Sequence, residues 1–503
     1  SGRPTVLHGL AMSGGGGFGG FGEKPKPKVP KVSSTLLRWG EANGVDYGGP
    51  LSVKEFDGIR GVAADEPLAP GTRVLGVPAS LVLQVTTNQP APSWADKMLW
   101  RSSTWYVRLA LRLLHEKGKG AASELAPWVE QLPASFDTPF FWSEAELEAL
   151  AYRPLQEAVE KQRAEWAAVA RELRSATGGP SEAELYWALS CVRSRAFSGP
   201  YSPGTIKSSA SQLAFAAALA LGYAGLGIGP ADAAANGVLA VLAFLLANDL
   251  LFARLSREKR YVVCPVVDLC NHHSSQAGVE AAYEYFADAF AVVLPEAVPV
   301  GGEVRICYGP RSNDQLLQQY GFVEADNPHD DFAIRQDDLV LTLNAASPFA
   351  PATVQELRGA ALIDPSLLLR FSRTGVDPTA LRVARTLLRP DEARPTRGEA
   401  ALPLSSELVV LRALATVADD QAAALGDLGA ERALLAAPPA SASAAACLAR
   451  ALRVEKMALL GQCASALRAQ ADANERAGRV LPYEAEPAAG SAPLPGFGLS
   501  RIK

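Results

Sequence analysis

Strand signals fall in two blocks far apart in this chain, and that separation constrains the fold more than any other feature. The first block comprises Gly58 to Ala64, Arg73 to Pro78 and Ser80 to Val85, β-branched residues punctuated by glycine and proline. The second comprises Tyr261 to Val267, Tyr283 to Phe286, Phe290 to Leu294 and Val304 to Tyr308. Between them, Trp100 to Arg195 repeats apolar residues at helical spacing: Trp105, Val107, Leu109, Leu111 and Leu114, then Leu147 to Leu150, Leu155, Val159 and Trp166, then Leu185 to Val192. The expected fold class is therefore α+β, with short β-sheets split by an inserted helical lobe.

A chain of 503 residues, 48% hydrophobic and 20% charged, can bury a substantial core and divides into two or more domains. A formal charge of -5 is spread thinly, so nucleic acid and anionic membranes are not expected as partners. Six cysteines, Cys191, Cys264, Cys270, Cys307, Cys447 and Cys463, lack CxxC or tetrahedral-site spacing and read as free thiols in a reducing compartment. The five histidines are dispersed apart from His272 and His273, and no metal site is expected. The chain starts at Ser1 with no charged-then-apolar secretory signal, as expected if an amino-terminal signal has been removed.

Residues 1–33, with Gly14 to Gly20 and a Lys-Pro alternation, read as a flexible segment. Ser33, Ser34 or Thr35 caps a first helix carrying Leu36, Leu37 and Trp39 and ending near Gly44. Residues 202–256 hold two apolar runs, Leu213 to Ile228 and Val238 to Phe252, separated by Gly229, Pro230, Asp232 and Asn236. Each is shorter than the ~20 residues that cross a bilayer, and Asp249 interrupts the second, which favours a packed helical hairpin over membrane contact or a docking surface. Beyond residue 350 the pattern is helical, notably Leu402 to Val417, Ala423 to Leu435 and Ala444 to Leu467, and a Pro-Ala-Gly tail fills 481–503.

Three strings carry chemistry: Arg193-Ser194-Arg195-Ala196-Phe197; Val267-Asp268-Leu269-Cys270-Asn271-His272; and Gly302 to Gly309, continuing through Ser312-Asn313 to Tyr320-Gly321-Phe322. Singly each has a bland alternative, such as a turn for the Asn-His pair or core packing for the tyrosines. Their order and spacing together are much more specific. With Gly58-Ile59-Arg60-Gly61-Val62-Ala63, Val77-Pro78-Ala79-Ser80-Leu81, the Trp128 to Leu132-Pro133 stretch with Trp142, and Arg453-Val454-Glu455-Lys456, the chain resembles SET-domain methyltransferases of the Rubisco large-subunit lysine methyltransferase class over roughly residues 34–470.

The resemblance implies a first SET half at 34–98, a helical lobe at 99–192, a second SET half at 193–330 and an all-helical carboxy-terminal domain at 331–480. It implies S-adenosyl-L-methionine as cofactor, bound by Gly58, Gly61, Arg195, Asn271, His272 and Tyr308. Tyr308 would be catalytic, with Ser194, Asp268, Tyr283 and Tyr320 lining the channel for the accepting lysine. An arginine suits the donor's carboxylate, since a fixed charge and paired donors orient it. The Gly58-x-x-Gly61 pair departs from the commoner acidic-Gly-x-Gly form, which leaves open whether Asp57 contacts the donor and whether the pair is only a hairpin turn. The implied activity is lysine methylation of a non-histone chloroplast protein. The alternative is a SET-fold subunit of a larger chloroplast assembly with little turnover, favoured by the apolar insert; histidine as acceptor stays open.

Overall fold

The first hairpin follows from its turn. Strands Leu51–Phe56 and Ile59–Ala64 pair antiparallel, with Phe56 opposite Ile59, and Gly58 between them has φ of 82°, a left-handed value that glycine adopts without steric cost. This computed structural model describes residues 6–7, 35–56, 58–85, 90–174, 178–199, 218, 236–237, 260–276, 282–284, 287–359, 367–393 and 396–483. Asp57, the amino-terminal segment, nearly all of the 202–256 insert and the tail beyond Tyr483 lie outside the described residues.

The chain divides into two interleaved units. One is built from the described residues within Gly20–Ser135 and Val169–Gly309, the other from those within Ser1–Gly19, Phe136–Ala168 and Pro310–Lys503. In the first unit, one sheet has the order Leu51–Phe56, Ile59–Ala64, Glu303–Ile306, Asn271–His272. Glu303 pairs with Ala63 and Val304 with Val62 antiparallel, while Arg305 pairs with Asn271 and Ile306 with His272 in parallel. A second sheet runs Ala282–Glu284, Ala289–Val293, Arg73–Pro78, Asp46–Tyr47, and a third runs Leu83–Gln84, Arg260–Val263, Ala196–Gly199. Early and late strand blocks thus share all three sheets. Val62, Ala63, Val74, Leu75, Val77, Val292, Val304 and Ile306 are buried, a β-branched core suited to short strands.

The helices of this unit start and stop on local signals. Thr35–Ala42 ends before Gly44, whose φ is 85°. Glu182–Arg195 begins with a complete capping box: Ser181 accepts from the Glu184 amide while Glu184 reaches back to the Ser181 amide. Where Ser80 to Val85 reads as a strand, the structure has the 3-10 turn Ala79–Leu81 and only Leu83–Gln84 extended, because the turn after Pro78 takes up the first half.

The second unit is centred on helices Leu404–Leu425 and Ala444–Ala477, whose buried Val410, Leu414, Val417, Leu448, Leu452, Leu459, Leu460 and Leu467 join one core. Alongside the expected helices stands a small antiparallel sheet, Phe332–Arg335, Leu368–Ser372, Gly375–Val376. Lys456 on the long helix is fully buried. Its ammonium lies 2.6 Å from Asp314 and 2.8 Å from Asp330, and it also donates to the Asp331 carbonyl. Arg370 engages both oxygens of Asp331, at 2.6 and 2.7 Å, and the buried Tyr152 hydroxyl donates to Asp314 at 3.1 Å. Burial alone would lower the lysine, but Asp314, Asp330 and Asp331 outweigh it and hold the ammonium above its ordinary range. Burial likewise raises Asp314, and raises Asp331 to about 6 against the pull of Arg370 and Lys456.

Removing one partner of a buried ion cluster strands the others, which costs about 3–5 kcal/mol. Lys456→Met is therefore expected to lower the thermal midpoint of this unit sharply. A carboxyl raised in the folded state takes up its proton there before it does in the unfolded chain, so its stability contribution falls as pH rises from the ordinary carboxylate range through about 6. Without the lysine that window widens, and Lys456→Met should gain more stability than the parent on going from pH 7.5 to 5. Calorimetric scans at the two pH values check both statements.

Candidate active site

Helix Glu182–Arg195 delivers two arginines in its last turn, where the carbonyl end of the helix favours cations. Arg195 Nε lies 3.3 Å from Asp268 Oδ2, and its Nη1 donates to Ser194 Oγ at 2.9 Å. Ser194 in turn donates to the Ser190 carbonyl at 2.8 Å, so its hydroxyl both fastens to the helix and holds the guanidinium. Asp268 sits in the 3-10 turn Val267–Leu269 with its side chain almost wholly buried. Trp128 Nε1 donates to the same Oδ2 at 3.1 Å. Asp268 Oδ1, also buried, has no hydrogen-bond partner among the described residues. Burial drives this carboxyl upward, opposed by Arg195, the Trp128 indole and Arg60.

The turn is entered through Val266, at φ 71° and ψ -46°. A buried β-branched residue in that region is strained, and such strain collects where a chain must aim side chains for function. The turn exits into the two-residue strand Asn271–His272. Asn271 Nδ2 donates to Glu303 Oε1 at 2.7 Å and to the Arg60 carbonyl at 3.2 Å, while Glu303 Oε2 accepts from Arg305 Nε at 2.6 Å. Gly61 makes this closeness feasible: a Cβ there would stand 2.6 Å from Glu303 Oε1 and 3.0 Å from Asn271 Nδ2.

His272 Nδ1 accepts the Tyr308 backbone N–H at 3.0 Å, and the two rings lie 5.0 Å apart. A backbone amide can only donate, so Nδ1 carries no proton. The Tyr308 hydroxyl donates to the Cys270 carbonyl at 3.0 Å. Tyr308 is thus fastened at both ends. With its proton directed at a carbonyl, the phenol oxygen is arranged to accept a further hydrogen bond rather than to donate one.

The structure thus brings Ser194, Arg195, Asp268, Asn271, His272 and Tyr308 into one bonded group, with Gly61 packed against it. Gly58 is the hairpin turn. Tyr283 is placed on another sheet, with its hydroxyl donating to Asp288 at 2.9 Å and its ring 5.2 Å from Phe290. Tyr320 belongs to the other unit, as the last residue of helix Asn313–Tyr320, with its ring 6.2 Å from Phe322. Sequence reasoning passed over Arg60, Gln131, Glu303 and Arg305, and gave Trp128 no role. Arg60 and Trp128 lie within strings that carried the resemblance; Val266 gives no signal, since valine is the residue least expected at positive φ. Cys191, Cys264 and Cys270 near the site are buried thiols, all raised by that burial. Among the described residues no group of His, Cys, Asp and Glu is arranged to hold a metal, and no helix is long and apolar enough to cross a membrane.

No protein-family model matches the chain. Among curated proteins it is 38% identical over 84 residues to mouse SET domain-containing protein 4, spanning 17% of this chain and 19% of that one. It is 24% identical over 335 residues to Drosophila melanogaster actin-histidine N-methyltransferase, spanning 61% of this chain and 52% of that one. The chain thus spans about half the length of one of these curated relatives and a fifth of the other. Among solved structures, Rubisco LSMT bound to AdoMet superposes with a TM-score of 0.57 at 18% identity, over 89% of this chain and 93% of that one. Rubisco LSMT bound to sinefungin and monomethyllysine gives 0.55 at 18%, over 90% and 94%. The chain therefore shares the SET fold of the Rubisco LSMT structures and resembles the SET-domain methyltransferases of that class.

Proposed function

We propose that the chain is an S-adenosylmethionine-dependent protein methyltransferase that modifies a lysine of a non-histone chloroplast protein. The observation that carries this is the pairing of a doubly fastened Tyr308 with Asp268, two residues from its anchoring carbonyl, whose buried Oδ1 lacks a hydrogen bond among the described residues. A buried carboxylate oxygen left without a donor is costly, and an amine or ammonium donor at that position would offset the cost. The residues fit the methyl donor and acceptor: Arg195 suits a carboxylate, Asn271 and His272 offer polar groups beside it, and Asp268 suits an amine or ammonium.

When bound, S-adenosylmethionine supplies an electrophilic methyl on a sulfonium. The chain's own work is alignment. With the donor bound, the Tyr308 oxygen would offer lone pairs that stabilise positive charge developing on the accepting nitrogen. Asp268 would orient the accepting amine. The chloroplast target is supported by the likeness to Rubisco LSMT, and the lysine by the lysine-class ligand named for its solved complex. A second reading, histidine as acceptor, is supported by the 24% identity to actin-histidine N-methyltransferase. Membrane contact and a host complex through residues 202–256 fall outside the described residues.

Calorimetric titration of the full chain with S-adenosylmethionine should show binding at micromolar concentration, and radiolabel transfer into a chloroplast extract should mark a protein. Tyr308→Phe is expected to keep donor affinity and to lose transfer by about a hundredfold, the scale for removing one preorganised polar contact. No donor binding would overturn the methyltransferase reading; binding with no labelled protein would leave a SET-fold scaffold. Peptide mass spectrometry of the labelled protein assigns the acceptor, with the methyl expected on lysine and the histidine reading taking its place if the methyl sits on imidazole.

A further inference from the structure

We infer that Arg60 is a positioning residue that sets the span between Asp268 and Asn271, and so the placement of acceptor relative to donor. The inference rests on the proposed methyl-transfer function. Its basis is a closed ring of hydrogen bonds within one unit. Asn271 Nδ2 donates to the Arg60 carbonyl at 3.2 Å. The Arg60 guanidinium turns the other way: Nη2 donates to the Gln131 carbonyl at 2.6 Å and Nη1 lies 3.4 Å from Gln131 Oε1. The Gln131 amide donates to the Trp128 carbonyl at 2.9 Å, and the Trp128 indole donates to Asp268 Oδ2 at 3.1 Å. Leu269 and Cys270 close the ring back to Asn271.

This geometry gives one residue hold of both ends of a four-residue segment, by its backbone at one end and its side chain at the other. Asp268 stands at one end and Asn271 at the other, and between them lies the Cys270 carbonyl that takes the Tyr308 hydroxyl. The backbone of Arg60 fixes one end and its guanidinium, through Gln131 and Trp128, fixes the other. Displacements of about 1 Å in such a constellation cost on the order of a hundredfold in rate.

Charge gives the inference a separate readout. The Arg60 guanidinium is half-buried, and burial and then Arg195 pull it down while Asp268 raises it. Facing Asp268 are Arg195 and Cys191 of helix Glu182–Arg195, the Trp128 indole, Arg60 on its strand, Cys264 just after strand Arg260–Val263, and Cys270 on the segment itself. The three thiols are uncharged near neutral pH, because burial raises each of them. Arg195 and Arg60 are therefore the cations that oppose the upward push of burial on the Asp268 carboxyl. Deleting the Arg60 charge must shift the Asp268 titration upward; a lysine in its place keeps the charge and loses the forked contact to Gln131.

The test compares the full chain with Arg60→Met and Arg60→Lys. The Trp128 indole 1H–15N resonance, assigned through Trp128→Phe, reports Asp268 protonation without any turnover. In Arg60→Met its titration midpoint should rise, turnover should fall about ten- to a hundredfold with the acid limb of kcat/KM displaced upward, and donor Kd should change little, because the carbonyl that Asn271 uses remains. In Arg60→Lys the midpoint should return close to the parent value with turnover partly restored. An unmoved midpoint and parental turnover in Arg60→Met would overturn the inference. Should the parent transfer no methyl, the proposed function fails, and the indole midpoint alone decides on Arg60: unmoved, it overturns the coupling. If Arg60→Met does not fold, Arg60→Gln, which keeps a donor toward Gln131 but no charge, takes its place in every comparison.

Discussion

The parallel pairing of Asn271–His272 with Glu303–Ile306 is the contact on which the site depends. It is two residues long, and because Glu303–Ile306 also pairs with Ile59–Ala64, three segments distant in sequence meet there. Register decides the outcome: with Ile306 beside His272, the chain following Ile306 places the Tyr308 amide on the His272 ring and the Tyr308 hydroxyl on the Cys270 carbonyl. A slip of one residue would send the Asn271 and His272 side chains to opposite faces. Glu303 guards against it by holding the Asn271 amide with one oxygen and Arg305 with the other.

The two units use buried charge in contrasting ways. Around Lys456 three carboxylates and two cations are packed so that the lysine stays charged, with Arg370 covering Asp331, an arrangement whose disruption is far costlier than its absence would be. Around Asp268, Arg195 and Trp128 share one oxygen, while the other has no hydrogen-bond partner among the described residues. The first cluster balances its charges around the lysine, whereas the contacts of the second converge on a single carboxylate oxygen. Val266, held at positive φ directly before it, shows that backbone energy is also committed there.

Much of this was legible in the sequence because it rests on periodicity and punctuation. Arg73–Pro78 is the strand its β-branched residues announce, and Trp105–Gly118, Glu182–Arg195 and Ala444–Ala477 carry the apolar spacing of helices. The strings around Arg195, Asp268 and Tyr308 were legible as a set, since their order is informative where each is short. The sheet of Phe332–Arg335, Leu368–Ser372 and Gly375–Val376 was not, because strands of two to five residues set among helical spacing give no period to read. Arg60 escaped for another reason. Its role lies in a ring of bonds that passes through Gln131, and no local pattern encodes contacts between a hairpin and a loop 71 residues on.

The shared sheets have a consequence during synthesis. Ile59–Ala64 finds its inner neighbour only when Glu303–Ile306 is made, roughly 240 residues later, which at ribosomal speeds means a wait on the order of ten seconds or more. Until then the backbone N–H and C=O groups that Ile59–Ala64 gives to the late strand have no such partner, and Val62 and Ala63 lack the cover that strand brings. Unpaired strand edges invite pairing with other chains, so the late strand removes a hazard as well as completing a sheet.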